Sequence, residues 1–189
     1  MPTDSAPRPI RFLASPHHDA RPAGTAVDLI VLHAISLPPG RFDARVVEDF
    51  FLGRLDTGAD PSLAGLAGVR VSAHFVVDRM GRITQFVPVA GRAWHAGESV
   101  WQGRPDCNDY AVGIEMIGDE QQPFTRKQYT ETARLCRMLM RTFPGITAAR
   151  IVGHQDVAPG RKWDPGRRWD WERFRRSLAH VRRLDLAWA

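Results

Sequence analysis

The sequence predicts an α/β fold in which helices flank a mixed central β-sheet, and three stretches carry that prediction. Asp28 to Ile35, "DLIVLHAI", is a compact run of Ile, Leu and Val that reads as a buried strand. "RVSAHFVVDRMGRITQFVPV", from Arg70 to Val89, reads as two strands joined by the turn residues "DRMG", so part of the sheet is an antiparallel hairpin. A helix opens at Thr125, where "TRKQ" forms a capping-box pattern with Thr125 as N-cap and Gln128 reaching back.

The other elements follow in order. The first strand stops at the breaker "SLPPG", which puts His33 near its C-terminal end. "RVVEDFFLGRL" has helical spacing through Val46, Val47, Phe50 and Phe51, and the glycine-rich connection "DTGADPSLAGLAG" follows it. After the hairpin, "GRAWHAGESVWQGRPDCND" shows no sustained period. A loop of that length inside a compact domain is more often functional than a spacer. "AVGIEMIG" returns to a strand pattern, with Val112, Ile114 and Met116 on one face and Glu115 on the other. Along the helix, Tyr129, Ala133, Cys136, Leu139, Met140 and Phe143 recur at three- and four-residue steps as an inward stripe, and "FPG" ends it. "ARIVGH" is a short last strand that delivers His154 at its end, and "DWERFRRSLAHVRRL" is an amphipathic helix capped by Asp170.

A single domain over residues 1–189 is expected, with a core over about 15–180, because 189 residues suffice for one substantial core and not comfortably for two. At 43% hydrophobic and 25% charged, the composition excludes a disordered or fibrous chain. No run approaches the roughly 18–20 apolar residues that span a bilayer. The polar, proline-rich start lacks the apolar region of a secretory signal, so a cytoplasmic monomer without a membrane partner is expected. A net charge of +5 permits nucleic-acid binding, but the late arginines alternate with aromatics and acids, as on a solvated helix face. No binding motif accompanies them, so no nucleic-acid partner is expected, and an anionic small substrate is served equally well. Cys107 and Cys136 are too few for a disulfide framework and lack the spacing of a thiolate metal site.

"GHQDVAPGRKWDPGRRWDWERF" crowds titratable groups among prolines and glycines, and so onto loops. Two predicted strand ends carry histidine, His33 and His154, and Asp164 follows ten residues after His154, with Asp156 a nearer competitor. Two histidines and a carboxylate, with a fourth position left for water, is a ligand count of catalytic zinc. The alternative is that these loop residues only satisfy one another by hydrogen bonds. His74 suits a core or edge-strand position as well as a functional one, and His95, beside Trp94, suits a substrate-lining loop. His17, His18 and His180 read as surface residues.

Taken in order, "LHAISLPPG", "VSAHFVVDRMGRITQFVPV", "RAWHAG", "CNDYAVGIEMIG" and "GHQDVAPGRKWDPG" closely resemble the zinc-dependent N-acetylmuramoyl-L-alanine amidases of the second type. Within these, "SPHHDARP", "ISLPPG" and "WQGRPDCND" resemble the cytoplasmic 1,6-anhydro-N-acetylmuramyl-L-alanine amidase subgroup, and the resemblance runs from about Ser15 to Phe174. It implies the mixed-sheet fold shared with peptidoglycan recognition proteins. It also implies one catalytic zinc on His33, His154 and Asp164, with Glu115 as catalytic carboxylate and Lys162 as catalytic lysine. The implied reaction cleaves the amide between the lactyl group of 1,6-anhydro-N-acetylmuramic acid and L-alanine in cell-wall recycling. The implied partner is therefore an anhydro-muropeptide. Glu115 would act as general base and then general acid, and Lys162 would offset the developing oxyanion. Arg70 matches a family position expected to contact the ligand, and Trp94 and His95 would pack against the sugar or the bond region, although salt bridges and packing also use such residues. The competing expectations are an amidase of intact peptidoglycan and a non-catalytic peptidoglycan-binding module of the same fold.

Three residues depart from the family pattern: Ala34 where the subgroup commonly has Asn, Trp163 where a small polar residue is usual, and Asp106 where relatives carry a second basic residue.

Overall fold

The computed structural model describes residues 9–180. Its elements are β1 (Arg11–Phe12), β2 (His18–Ala20), β3 (Leu29–Ile35), α1 (Ala44–Phe51), β4 (Phe75–Val77), β5 (Ile83–Gln85), β6 (Gly91–Ala93), β7 (Val100–Trp101), β8 (Arg104–Pro105), β9 (Ala111–Ile117), α2 (Arg126–Thr142), β10 (Ile151–Gly153), α3 (His154–Val157) and α4 (Trp171–Ala179). Six strands form the main sheet in the order β1-β5-β4-β9-β3-β10, and β2–β6 and β7–β8 are two-stranded ribbons. Among the described residues, only β4 and β5 pair antiparallel within the main sheet. A tight turn can only reverse the chain, whereas the longer connections let it return in the same direction. At that turn the Asp78 carboxylate accepts from the Met80 and Arg82 amides, and Gly81 supplies a φ of +73°.

Alternation sets the two faces. Ile30 and Leu32 of β3 and Val112, Ile114 and Met116 of β9 pack with Ala133, Leu135, Cys136 and Leu139 of α2 and Phe174 and Leu178 of α4. The opposite face holds Leu29, Val31 and Ala111 against Ala96, Tyr110 and Val157. Ile117 on that face meets Val47, Phe50 and Phe51 of α1. His33 and Glu115 therefore stand on the face away from α2, as the period of two in "AVGIEMIG" predicts.

The α2 cap forms as expected: Thr125 Oγ1 accepts from the Gln128 amide at 3.2 Å, and Gln128 Oε1 accepts from the Thr125 amide at 3.0 Å. Gln128 also donates to the Ile117 carbonyl at 2.9 Å, which ties the helix start to the end of β9. Trp169 stacks on Tyr129 with ring centroids 4.4 Å apart and packs against Phe174, locking α4 onto α2. The Asp170 carboxylate caps α4 by accepting from the Arg173 amide; the part of the expected helix beyond His180 lies outside the described residues.

Some expectations need correction. His17 is buried, not on the surface: its ring lies 3.1 Å from the Val71 carbonyl and stacks on Trp94. The segment before β4 folds back over it, a long-range event that the polarity of "SPHHD" does not encode. His18 and His180 are exposed as expected. The hairpin strands are shorter than expected, because residues 71–74 leave the hairpin ladder: Ser72 N–H donates to the Trp94 carbonyl and His74 N–H to the Gly113 carbonyl of β9. The loop over 91–109 contains β6, β7 and β8, whose two or three residues are too few to show a period. His154 opens the single turn of α3 and is not on a loop, while Lys162 and Asp164 are on one.

Candidate functional site

The sheet itself assembles the site. Parallel pairing sets His33 of β3 level with Glu115 of β9. It also sets Gly153 opposite Leu32, so that His154, the next residue, arrives beside His33. The chain then leaves through α3 and returns with Asp164, whose carbonyl accepts from the Gln155 amide at 2.9 Å.

Three donor atoms converge there. His33 Nδ1 lies 2.9 Å from His154 Nδ1 and 3.2 Å from Asp164 Oδ2, and His154 Nδ1 lies 3.1 Å from that same oxygen. All three residues are buried. The far nitrogen of His154 faces the Ala96 carbonyl at 3.0 Å. A carbonyl can only accept, so His154 carries its proton on Nε2 and presents a lone pair at Nδ1. His33 Nε2 lies 2.9 Å from His95 Nδ1, a contact that leaves His33 Nδ1 free to present its own lone pair. Two lone pairs and a carboxylate oxygen facing one another repel unless a cation lies between them. Donors bound at about 2.0–2.2 Å to one tetrahedral ion stand roughly 3.3–3.5 Å apart. The observed edges are only slightly shorter, so these residues fit a metal ion.

Electrostatics agree. Burial pushes the His33 imidazole down to about 4, with the neighbouring Asp164 carboxylate opposing. Burial, with His33 and His74 adding, holds His95 well below the usual histidine range. Burial works against the charge of Asp164, but the His154 and His33 rings beside it outweigh burial and hold its carboxyl below the usual range. Burial raises the Glu115 carboxyl well above the ordinary value, helped by the Asp164 charge and opposed by Lys162. Glu115 Oε2 is buried without a hydrogen-bond partner among the described residues. A carboxyl oxygen held unpaired beside a donor cluster is available for proton transfer.

Of the other sequence-predicted residues, His95 joins the cluster and Lys162 lies within electrostatic reach of His33 and Glu115 on the exposed loop. Trp94 is engaged in the scaffold, its indole N–H donating to Asp19 at 3.2 Å and its ring stacked on His17. Arg70 is exposed and lines a shallow surface pocket with Phe50, Leu55 and Thr57, whose walls contain none of the cluster. Asp156 accepts from the Gly153 amide at 2.7 Å and so braces its own turn. His74 is fully buried, accepts from the Gly113 amide and is structural. Trp163 lies over Gly166 and is 46% exposed.

Sequence reasoning missed the residues that hold the rings. A Cβ on Gly113 would lie 2.4 Å from the His95 ring, so this strand position admits only glycine while His95 rests on it. Asn108 and Arg161 also bind the loop carrying His95 and Ala96. The one available signal was the polar pair "ND" ahead of a strand.

A mixed sheet whose strand ends bring His33, His154 and a carboxyl together with a loop aspartate has the donor set of a metal-dependent hydrolase. The chain matches the family model described as N-acetylmuramoyl-L-alanine amidase over residues 23–167. It is 49% identical over 168 residues to the 1,6-anhydro-N-acetylmuramyl-L-alanine amidase AmpD of Haemophilus influenzae, covering 89% of this chain and 91% of the relative. A crystal structure of a selenomethionine AmpD derivative superposes with a TM-score of 0.86 at 44% identity, over 89% of this chain and 94% of that one. AmpDh3 of Pseudomonas aeruginosa, solved in complex with an anhydromuramic pentapeptide, superposes at 0.60 and 28% identity, over 82% of this chain and 61% of that one. The chain belongs to the N-acetylmuramoyl-L-alanine amidase family, and is thus an amide hydrolase.

Proposed function

We propose that the protein cleaves the amide bond between the lactyl group of 1,6-anhydro-N-acetylmuramic acid and L-alanine, as a step in cell-wall recycling. The observation that carries this reading is the convergence of His33, His154 and Asp164 beside the unpaired oxygen of Glu115. The names of its relatives supply the substrate class. His33, His154 and Asp164 would hold one zinc ion. When bound, zinc supplies Lewis acidity, which lowers the pKa of a water and polarises the scissile carbonyl.

The chain's own residues do the rest. Glu115 takes the proton of the attacking water and delivers it to the departing alanine nitrogen. A carboxyl with a raised pKa suits both halves of that exchange. Lys162 places an ammonium near the developing oxyanion. Arg70 contacts a carboxylate of the peptide, and Trp94 and His95 border the sugar and the bond; for Trp94 this would use the part of the indole left free by Asp19 and His17.

The test is incubation with anhydro-muramyl-tripeptide and, in parallel, with intact sacculi, each with and without a chelator. Cleavage of the tripeptide ligand alone, stopped by chelator and restored by zinc, is expected. Equal cleavage of sacculi would redirect the substrate to the polymeric wall, and binding without turnover would make the protein a recognition module. Lys162→Ala is expected to lower kcat on the order of 10²-fold, about 2.7 kcal/mol, which is the lower end for losing one oxyanion donor. Steady-state kinetics at full zinc occupancy measures this, and an unchanged kcat removes Lys162 from the mechanism.

A further inference from the structure

The outer contacts of both histidine rings fall on one loop, which Arg161 holds from one side through the Ala96 and Glu98 carbonyls. His33 Nε2 meets His95 Nδ1 at 2.9 Å, and His154 Nε2 donates to the Ala96 carbonyl at 3.0 Å. Both rings are therefore held by consecutive residues of one loop. Among the described residues no sheet ladder supports that loop, since β6 ends at Ala93 and β7 begins at Val100. The amides of His95 and Ala96 instead donate to one atom, Asn108 Oδ1, at 3.1 and 2.8 Å. Two donors converging on one atom require an acceptor with two lone pairs, so the oxygen of the amide faces the loop. Asn108 is braced from behind: the Arg21 guanidinium donates to the carbonyls of Asn108, Asp109 and Ala111 at 3.0, 2.8 and 2.9 Å.

We propose that Asn108 is a positioning residue for the metal centre. Its amide oxygen fixes the His95–Ala96 segment and, through it, the orientation of both His33 and His154. Asn108 touches no reacting atom in this scheme and acts only through hydrogen bonds. The inference rests on the reading of His33, His154 and Asp164 as zinc ligands.

Loss of the groups that orient metal-ligating histidines typically costs about 10- to 100-fold in metal affinity. Asn108→Ala is therefore expected to weaken zinc binding about tenfold in chelator competition, the low end because Asn108 is one contact further out. The His95 and Ala96 amides should also exchange with solvent faster than in the wild type. Asn108→Asp keeps an acceptor oxygen on the same stem and is expected to restore most of the affinity, which a role in bulk stability alone would not predict. A folded Asn108→Ala protein with wild-type zinc affinity overturns the proposal, as does an Asn108→Asp protein as weak as the alanine variant. If the alanine variant does not fold, exchange in the wild type decides. Zinc should slow the His95 and Ala96 amides together, and rates indifferent to zinc overturn the coupling. A wild-type protein that takes up no zinc would instead fail the underlying metal reading, a result distinct from all of these.

Discussion

Glu115→Gln is expected to lower kcat by about 10³- to 10⁴-fold, toward the upper part of what general acid–base catalysis contributes. That loss is about 4–5.5 kcal/mol of activation free energy. Glutamine preserves shape and polarity but can neither take a proton from water nor return one to nitrogen. Because the lost interaction belongs to the transition state, KM should change little. Zinc content should also be unchanged, since the three donors that converge are those of His33, His154 and Asp164. A variant with full zinc and more than a tenth of the wild-type kcat would remove Glu115 from the mechanism. The same substitution has a stability signature in the chelated protein. The Glu115 carboxyl is raised well above its unfolded value, so the folded state holds the proton more tightly. Wild-type stability from this group is full below the unfolded glutamate pKa and falls as pH rises toward the folded value. Glu115→Gln has no such loss, and its advantage in urea denaturation should be larger at pH 8 than at pH 5.

Asp164→Ala is expected to abolish measurable turnover together with zinc retention. Structural zinc sites with four ligands bind with roughly 10–16 kcal/mol, so one ligand is worth about 3 kcal/mol or more, on the order of 10²-fold or greater in affinity. Asp164 also supplies the one carboxylate oxygen among the three converging donors, so its removal leaves two imidazoles to hold a dication. Chelator competition measures the affinity and elemental analysis the occupancy. Should Asp164→Ala keep zinc with wild-type affinity, the carboxylate ligand lies elsewhere. Asp156 is then the residue to test, although its carboxylate already accepts from the Gly153 amide.

Local chemistry made much of the fold legible. The run "DLIVLHAI" could bury itself only as a strand covered on both faces, and β3 occupies Leu29–Ile35 with its first five residues buried. The capping box at Thr125 and the "DRMG" turn depend on residues within four positions of one another, and both formed as read. The period of two in β9 put Glu115 on the face opposite Val112, Ile114 and Met116. Short strands such as β7 and β8 were illegible because two residues carry no period. The burial of His17 is not legible locally, because it depends on a segment 54 positions away, at Val71.

The sequence by itself determined which donors were available and which elements carried them: His33 at a strand end, His154 after another strand, Asp164 and Lys162 on a proline- and glycine-marked loop. Only the tertiary structure decided which of them meet. His33 and His154 are 121 residues apart, and the parallel pairing of β3 with β10 brings their rings to 2.9 Å. The β3–β9 register, not any local pattern, sets Glu115 beside them. The structure also separated Asp164 from Asp156 by giving the second carboxylate a backbone amide of its own, and it assigned Asn108, His95 and Ala96 to the support of the rings. The physical reason is one of range. Periodicity, capping and turn chemistry act over a few residues and are written locally, whereas strand register and loop docking depend on packing between distant segments.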